Sequence, residues 1–305
     1  MPNSVTKQAY AKINLFLDIT GRRPDGYHTI AGVMQSVSLC DDVTVELSPT
    51  DSGTGGIFLT CSDPALPTDR GNLGFRAAEA FLTAARGVGM EQDMAVHIHI
   101  RKRIPSPAGL AGGSADAAAV LTGLNQLCGF PLAGEQLSRV GLSLGADVPF
   151  CLSGGTRITE GVGEKLTPAS PLPPCHILIS CAGEGVSTPW AYRALDHRFG
   201  GFAPGSYTPR TEALRALLSS LERGELAGVG ANAFNLFETV VLPEHTVARR
   251  LRESMEKAGA VCARMSGSGP SIFGLFSSAG EAMSLCDQLT AQGIPAWVCQ
   301  PVSEV

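Results

Sequence analysis

The sequence predicts an α+β protein of two domains. Three observations carry that expectation: runs of period-two apolar alternation in the first third of the chain, helical periodicities interspersed with short strands without regular βαβ units, and a proline-rich break between two such regions. At roughly 150 residues per domain, 305 residues suffice for about two domains with real hydrophobic cores. Hydrophobic residues make up 44% and charged residues 17%, which sets the chain among folded globular proteins and apart from disordered ones. A net charge of −5 argues against a surface that coats nucleic acid. Glycine is in excess, at 36 of 305 residues against a usual share of roughly 7%, so some function calls for bare backbone.

Ala9 to Ile19 alternates strictly, with Ala9, Ala11, Ile13, Leu15, Leu17 and Ile19 on one face and Tyr10, Lys12, Asn14, Phe16 and Asp18 on the other: a strand with one oily face. Asp25-Gly26 signals a turn, and Gly53-Thr54-Gly55-Gly56 another. Val43/Val45/Leu47, Ile57/Leu59/Cys61 and Val96/Ile98/Ile100 repeat the period of two and predict a substantial sheet. Helical spacing at Leu73/Ala77/Ala80/Ala84, Ala117/Val120/Leu121/Leu124/Leu127 and Leu137/Val140/Leu144 supplies helices to cover it. Pro168 to Pro174 holds four prolines in seven residues and can continue neither element, which divides the chain into residues 1–170 and 171–305. The second part carries a strand at Ile177-Leu178-Ile179 and helices at Leu214/Leu217/Leu218/Leu221, Val247/Leu251/Met255/Ala258 and Ala282/Leu285/Cys286/Leu289. Further strands are expected at Val261 to Met265, Ser271 to Phe276 and Ala296 to Cys299.

Nine cysteines form no C-x-x-C pair and are odd in number, so reduced and mostly buried thiols are expected. No Cys and His set has zinc-ligand spacing, and His97 and His99 read as solvated outward residues of a strand. Met1 to Ala9 has no apolar run and no stretch offers ~18 consecutive apolar residues, so a cytoplasmic protein without signal peptide or membrane span is expected.

Four segments bear on chemistry. Pro105-Ser106-Pro107-Ala108-Gly109-Leu110-Ala111-Gly112-Gly113-Ser114-Ala115-Asp116 runs from a strand into a helix, where unpaired N–H groups and the helix dipole favour an anion such as phosphate. It lacks the G-K-[ST] and G-x-G-x-x-G patterns of the Walker and Rossmann turns. A plain turn capped by Ser114 is the alternative. Lys12 and Asn14 sit side by side on one strand face and, alone, fit a solvated edge equally well. Asp147, in Gly145-Ala146-Asp147-Val148-Pro149-Phe150, suits a general base or a helix cap. Ser266-Gly267-Ser268-Gly269-Pro270-Ser271 suits either a hairpin turn or a close backbone approach to a ligand.

In their order along the chain, Ala9-Tyr10-Ala11-Lys12-Ile13-Asn14-Leu15-Phe16-Leu17, Arg22-Arg23-Pro24-Asp25-Gly26-Tyr27-His28, the glycine-rich loop, Gly145-Ala146-Asp147-Val148-Pro149 and the late Gly-Ser-Gly loop resemble the GHMP small-molecule kinases, from Ala9 to Phe276. The Ala-Lys-Ile-Asn strand followed by Asp-Gly-Tyr-His resembles one branch in particular, which phosphorylates the 2-hydroxyl of 4-diphosphocytidyl-2-C-methyl-D-erythritol in non-mevalonate isoprenoid synthesis. The resemblance implies an N-terminal domain like domain 2 of ribosomal protein S5, a ferredoxin-like C-terminal domain and a site between them. ATP is the implied phosphoryl donor, with Mg²⁺, and the implied partner is a small molecule, with no nucleic acid or membrane and a monomer or homodimer as the assembly.

Residue by residue, the resemblance implies Lys12 and Asp147 as the catalytic lysine and base, and Pro105 through Ala115 with Asn72 as ATP contacts. It implies Asn14, Tyr27, His28, Thr188 and Tyr192 around the acceptor, with Tyr27 and Tyr192 sandwiching the cytosine, and Gly267, Ser268 and Gly269 as the C-terminal loop. The chain departs from the family's usual pattern at Ala111, Ala115 and Gly71, which leaves Mg²⁺ without an assigned ligand and Ser114 as the loop's available hydroxyl. A mevalonate-pathway or homoserine kinase, and a silent nucleotide-binding homologue, are the rival readings. Asp-Gly-Tyr-His opposes the first and retention of both Lys12 and Asp147 opposes the second.

Overall fold

The computed structural model describes residues 3–49, 55–89, 94–181 and 183–303; of the turn expected at 53–56, Gly53 and Thr54 lie outside the described residues. In chain order the first half contains β1 (Ser4–Arg22), β2 (His28–Pro49), β3 (Ile57–Cys61), α1 (Leu73–Arg86), β4 (Met94–Arg101), α2 (Gly112–Leu127), α3 (Gly134–Leu144), α4 (Val148–Ser153), β5 (Thr156–Gly161) and β6 (Lys165–Pro168). The second half contains β7 (His176–Ser180), α5 (Thr188–Arg198), α6 (Thr211–Glu222), α7 (Leu226–Asn232), β8 (Phe234–Asn235), α8 (Glu238–Glu244), α9 (Thr246–Lys257), β9 (Cys262–Met265), β10 (Ile272–Phe276), α10 (Ala279–Ala291), β11 (Ala296–Cys299) and β12 (Pro301–Val302). Helices and sheets mix as the α+β prediction requires.

One sheet runs β3-β4-β2-β1-β8, with β5 and β12 also paired to β2 and β6 to β5; the other runs β11-β7-β10-β9. β2 serves several partners because it is long: Ile30 to Gln35 pairs with β5, and Asp42 to Pro49 pairs with β4. The chain changes sheets between β6 and β7, across the prolines of 168–174. Two short strands then return: β8 runs parallel to β1 at Phe16 and Leu17, and β12 pairs with β2 at Ser36 and Val37. Ile177 and Phe273 of the second half therefore share a core with Ile13, Phe81 and Leu121 of the first.

The first strand departs from the expected single oily face. Lys12, Asn14, Phe16 and Asp18 are as buried as the aliphatic set, because β2 and β8 flank β1 and both of its faces are covered. Register shifts against β2 fall between Tyr10 and Lys12 and between Asn14 and Phe16, and such irregularities re-aim side chains. Leu15 and Phe16, adjacent in sequence, consequently both enter the core that holds Ile13. Helices α4, α5, α7 and α8 and strands β5, β6, β8 and β12 have no counterpart in the sequence periodicities. All nine cysteines are free, and Cys40, Cys151, Cys175, Cys262 and Cys299 are buried. His97 and His99 are exposed, bonded to the Ser48 and Thr60 hydroxyls respectively.

Candidate active site

A cleft of about 980 Å³ opens where β1, the glycine-rich loop, α5 and the β9–β10 turn meet. Its floor is the segment of β1 between the two register shifts. Lys12, 3% exposed, donates from Nζ to Asn14 Oδ1 at 2.8 Å and to Gly109 O at 2.9 Å, and lies 3.9 Å from Asp147 Oδ2. Burial of an ammonium demands such partners, and these hold it at the cleft surface. Asp147 occupies the position before α4, yet its side chain makes no capping bond; the carboxylate lines the cleft instead. The solvated-edge alternative for Lys12 and the capping alternative for Asp147 are both set aside by these contacts.

The two glycine-bearing loops meet backbone to backbone. Gly109 has φ +77°, and a Cβ there would stand 2.2 Å from Ser266 O, so no other residue fits. Ser266 Oγ donates to Gly109 O at 2.9 Å, and Gly267 N donates to Asn14 Oδ1 at 2.9 Å. Asn235 Nδ2 donates to Met265 O at 2.7 Å and Gly267 O at 2.8 Å, fixing the turn from behind. Gly267, Ser268 and Gly269 thus form a hairpin turn and also line the cleft, so the two alternatives coexist.

Helix α2 begins at Gly112, before the Ser114 that the sequence offers as its cap. Its N-cap is Ala111, in the left-handed region at φ +59° and without a side-chain cap, so Ser114 belongs to the first turn and is not the cap. The first-turn N–H groups of a helix have no intrahelical acceptors, and here no cap side chain takes one. Pro105, Ser106, Pro107, Ala108, Gly109, Ala111, Gly112, Gly113 and Ser114 line the cleft. Leu110 and Ala115, each 1% exposed, point into the core; Leu110 contributes its carbonyl, which accepts from Lys12 N at 3.1 Å. Asn72 is not in the cleft lining. Its amide caps α1, accepting from Gly74 N and donating to Pro67 O, each at 2.9 Å.

At the other end, Asn14, Tyr27, His28, Thr188 and Tyr192 all line the cleft. Tyr27 is 66% exposed. Tyr192 stacks on His28 at 4.8 Å between centroids and meets the edge of Phe237 at 4.9 Å. His28 and Tyr192 thus form a stacked pair, since β2 carries His28 inward, while Tyr27 stays on the hairpin turn at the rim of the same cleft. Burial, and secondarily the charge of Asp147, push the Tyr192 phenol up to about 12, which keeps it a neutral donor. Thr188 Oγ1 is 2.8 Å from Ser268 Oγ and ties α5 to the late turn.

Three groups escaped the sequence reading. Asp196 binds His28 Nε2 at 2.6 Å and Arg22 at 3.4 Å. Its signal was present: Thr188, Tyr192 and Asp196 recur every four residues and so share one helix face. Asn235 had no local signal, because its two acceptors lie 30 and 32 residues away. Beneath the start of α2, Lys102 Nζ joins buried Asp41 and Asp116, the latter at 2.7 Å, while Arg103 N and Ile104 N donate to Asp41 and anchor the glycine-rich loop at its root. Burial pushes the Asp116 carboxyl up to about 7.

Comparison with known proteins agrees with this geometry. Residues 72–155 match the GHMP kinases N terminal domain and residues 212–294 the GHMP kinases C terminal domain. The chain is 42% identical over 298 residues to the 4-diphosphocytidyl-2-C-methyl-D-erythritol kinase of Synechococcus sp. (strain JA-2-3B'a(2-13)), covering 96% of this chain and 92% of that one. It is 41% identical over 282 residues to the same-named kinase of Caldicellulosiruptor saccharolyticus, covering 92% and 91%. A crystal structure of 4-(cytidine 5'-diphospho)-2C-methyl-D-erythritol kinase superimposes with a TM-score of 0.77 at 33% identity, over 97% of this chain and 99% of that one. Homoserine kinase from Cytophaga hutchinsonii, at 20% identity and a TM-score of 0.73 over 100% and 96% of the two chains, shares the fold. Lys12, Asp147 and the crossed glycine loops thus sit in a fold and a sequence that agree, and the chain belongs to the GHMP kinases, in the 4-diphosphocytidyl-2-C-methyl-D-erythritol kinase family.

Proposed function

We propose that the chain transfers the γ-phosphoryl group of ATP to the 2-hydroxyl of 4-diphosphocytidyl-2-C-methyl-D-erythritol, giving the 2-phosphate and ADP. The single observation that carries the mechanism is Lys12 held 3.9 Å from Asp147 at the cleft floor, between a phosphate-shaped loop and an aromatic end. Asp147 accepts the hydroxyl proton as the oxygen attacks the γ-phosphorus and the bond to the ADP oxygen breaks. Lys12 offsets negative charge on Asp147 and on the attacking oxygen; general-base catalysis contributes roughly 10²–10⁴-fold. Backbone N–H groups of Ser106 and of residues 108–114, with the α2 N-terminus, neutralise and orient the phosphates, which dominates phosphoryl transfer. Asn14, Tyr27, His28, Thr188 and Tyr192 hold the acceptor.

Among the described residues no group of three or more His, Cys, Asp and Glu could hold a metal ion, so a protein-caged ion does not fit. An ion carried on nucleotide phosphates does fit, because Mg²⁺ needs only one or two protein oxygens there, and Ser114 and Asp147 both line the cleft. Bound Mg²⁺ supplies charge neutralisation on the transferring phosphate.

The test is a coupled ADP-release assay with the diphosphocytidyl acceptor, mevalonate and homoserine. Turnover should follow the first; turnover on either of the others, or none above background hydrolysis of ATP, refutes the assignment. In the same assay Asp147→Asn should lower kcat by about 10²–10⁴-fold with the KM for ATP little changed. A near-normal kcat would remove Asp147 from the role of base.

A further inference from the structure

We propose that Asp196 is a positioning residue that fixes the tautomer and ring plane of His28, and through it makes this end of the cleft select an amino-bearing pyrimidine over its oxo counterpart, a role that rests on the reaction proposed above. Asp196 Oδ1 lies 2.6 Å from His28 Nε2. A carboxylate oxygen at this distance accepts, so an imidazole with one ring proton carries it on Nε2 and leaves Nδ1 as a lone-pair acceptor. Among the described residues no hydrogen bond reaches His28 Nδ1, which leaves that atom for a ligand.

Two further contacts hold the ring. Tyr192 stacks on it at 4.8 Å with planes 21° apart, and Phe202 meets it edge-on at 5.5 Å. Asp196 is itself pinned, since Arg22 reaches its Oδ2 at 3.4 Å while donating from Nε to Gly26 O at 3.3 Å. The carboxylate comes from α5, and both of its partners come from the β1–β2 hairpin. This clip therefore forms only when the two halves are assembled around the cleft.

A fixed acceptor pairs with the 4-amino group of cytosine, a donor, and opposes the 4-oxo group of uracil with a second lone pair. Sites built on one directed hydrogen bond reject the analogue that cannot make it, because a buried polar group is left unpaired. Without Asp196 the imidazole can place its proton on either nitrogen and pair with either base. The preference for cytosine would then disappear even though the aromatic stack remains.

Binding of CDP and of UDP to the full-length protein, measured by calorimetry, tests this independently of turnover. The unmodified protein should bind CDP at least about tenfold more tightly than UDP, and Asp196→Ala should bring the two within about threefold. Asp196→Asn, of the same shape but able to accept or donate, should also lose the preference, and it carries the test should the alanine variant fold poorly. In turnover, Asp196→Ala should raise the acceptor KM about tenfold with kcat and the KM for ATP near normal. His28→Ala combined with Asp196→Ala should be no worse than His28→Ala alone. An unmodified protein without preference for CDP, a preference kept in Asp196→Asn, or effects that multiply in the double variant would each overturn the proposal. Failure of the acceptor assay with CDP preference intact would instead count against the reaction and leave this role standing.

Discussion

The two ends of the cleft are built from different material. The end proposed to hold the phosphates is main chain: Gly109 and Gly267 touch through their backbones, the first turn of α2 offers N–H groups, and Lys12 is the one buried cation among the described residues that line it. The end proposed to hold the nucleobase is side chains: Arg22, Tyr27, His28, Tyr192 and Asp196, drawn from a hairpin and from a helix some 165 residues later. A phosphate group accepts hydrogen bonds in many directions and asks only for convergent donors, which bare backbone supplies. A planar base with a patterned edge asks for a stacked ring and a directed acceptor, which only side chains supply.

Substitutions that respect this division should divide in their effects. The largest is expected at Gly109→Ala, where a Cβ would enter the carbonyl of Ser266 and the residue would keep a left-handed φ. The loops must part, at a cost of about 3 kcal/mol or more, and urea unfolding should show that loss together with loss of ATP binding. A stable Gly109→Ala protein would mean that the two loops can separate without harm to the fold. Next comes Tyr192→Ala, which removes the stack on His28 and should raise the acceptor KM by roughly ten- to a hundredfold, about 1–3 kcal/mol, while the KM for ATP stays put. A change in the KM for ATP would show that the ends are not independent. The smallest is Ala111→Gly. Alanine at φ +59° carries left-handed strain, so glycine should stabilise the fold by about 0.5–1 kcal/mol, seen as a small rise in Tm.

Legibility in the sequence follows the same line. The glycine-rich loop and the β1 strand could be read because each is a contiguous run whose chemistry is local. Asp196 could have been found from its four-residue spacing to Tyr192, but its partner His28 lies 168 residues away and no periodicity links them. Asn72 is implied as a nucleotide contact by the family resemblance, at a position just before a helix where capping is the other reading. That same position makes it an N-cap, and the cap consumes its side chain. Helix α8 carries Pro243 within it, and β8 and β12 have two residues each, so none of them could announce itself by pattern.

Sequence by itself determined the α+β class, the principal strands and helices, the family, and the order of the motif segments, because periodicity and motif order are local properties that survive without coordinates. Tertiary structure decided three things. It covered both faces of β1, so that Lys12 became a buried cation in place of an edge residue. It seated the glycine turn of the second half against that of the first, which no spacing along the chain encodes. It paired His28 with Asp196 and Tyr192, leaving Tyr27 to the solvent-facing rim. Each of these depends on distant segments excluding water together, and burial of that kind is a property of the assembled chain.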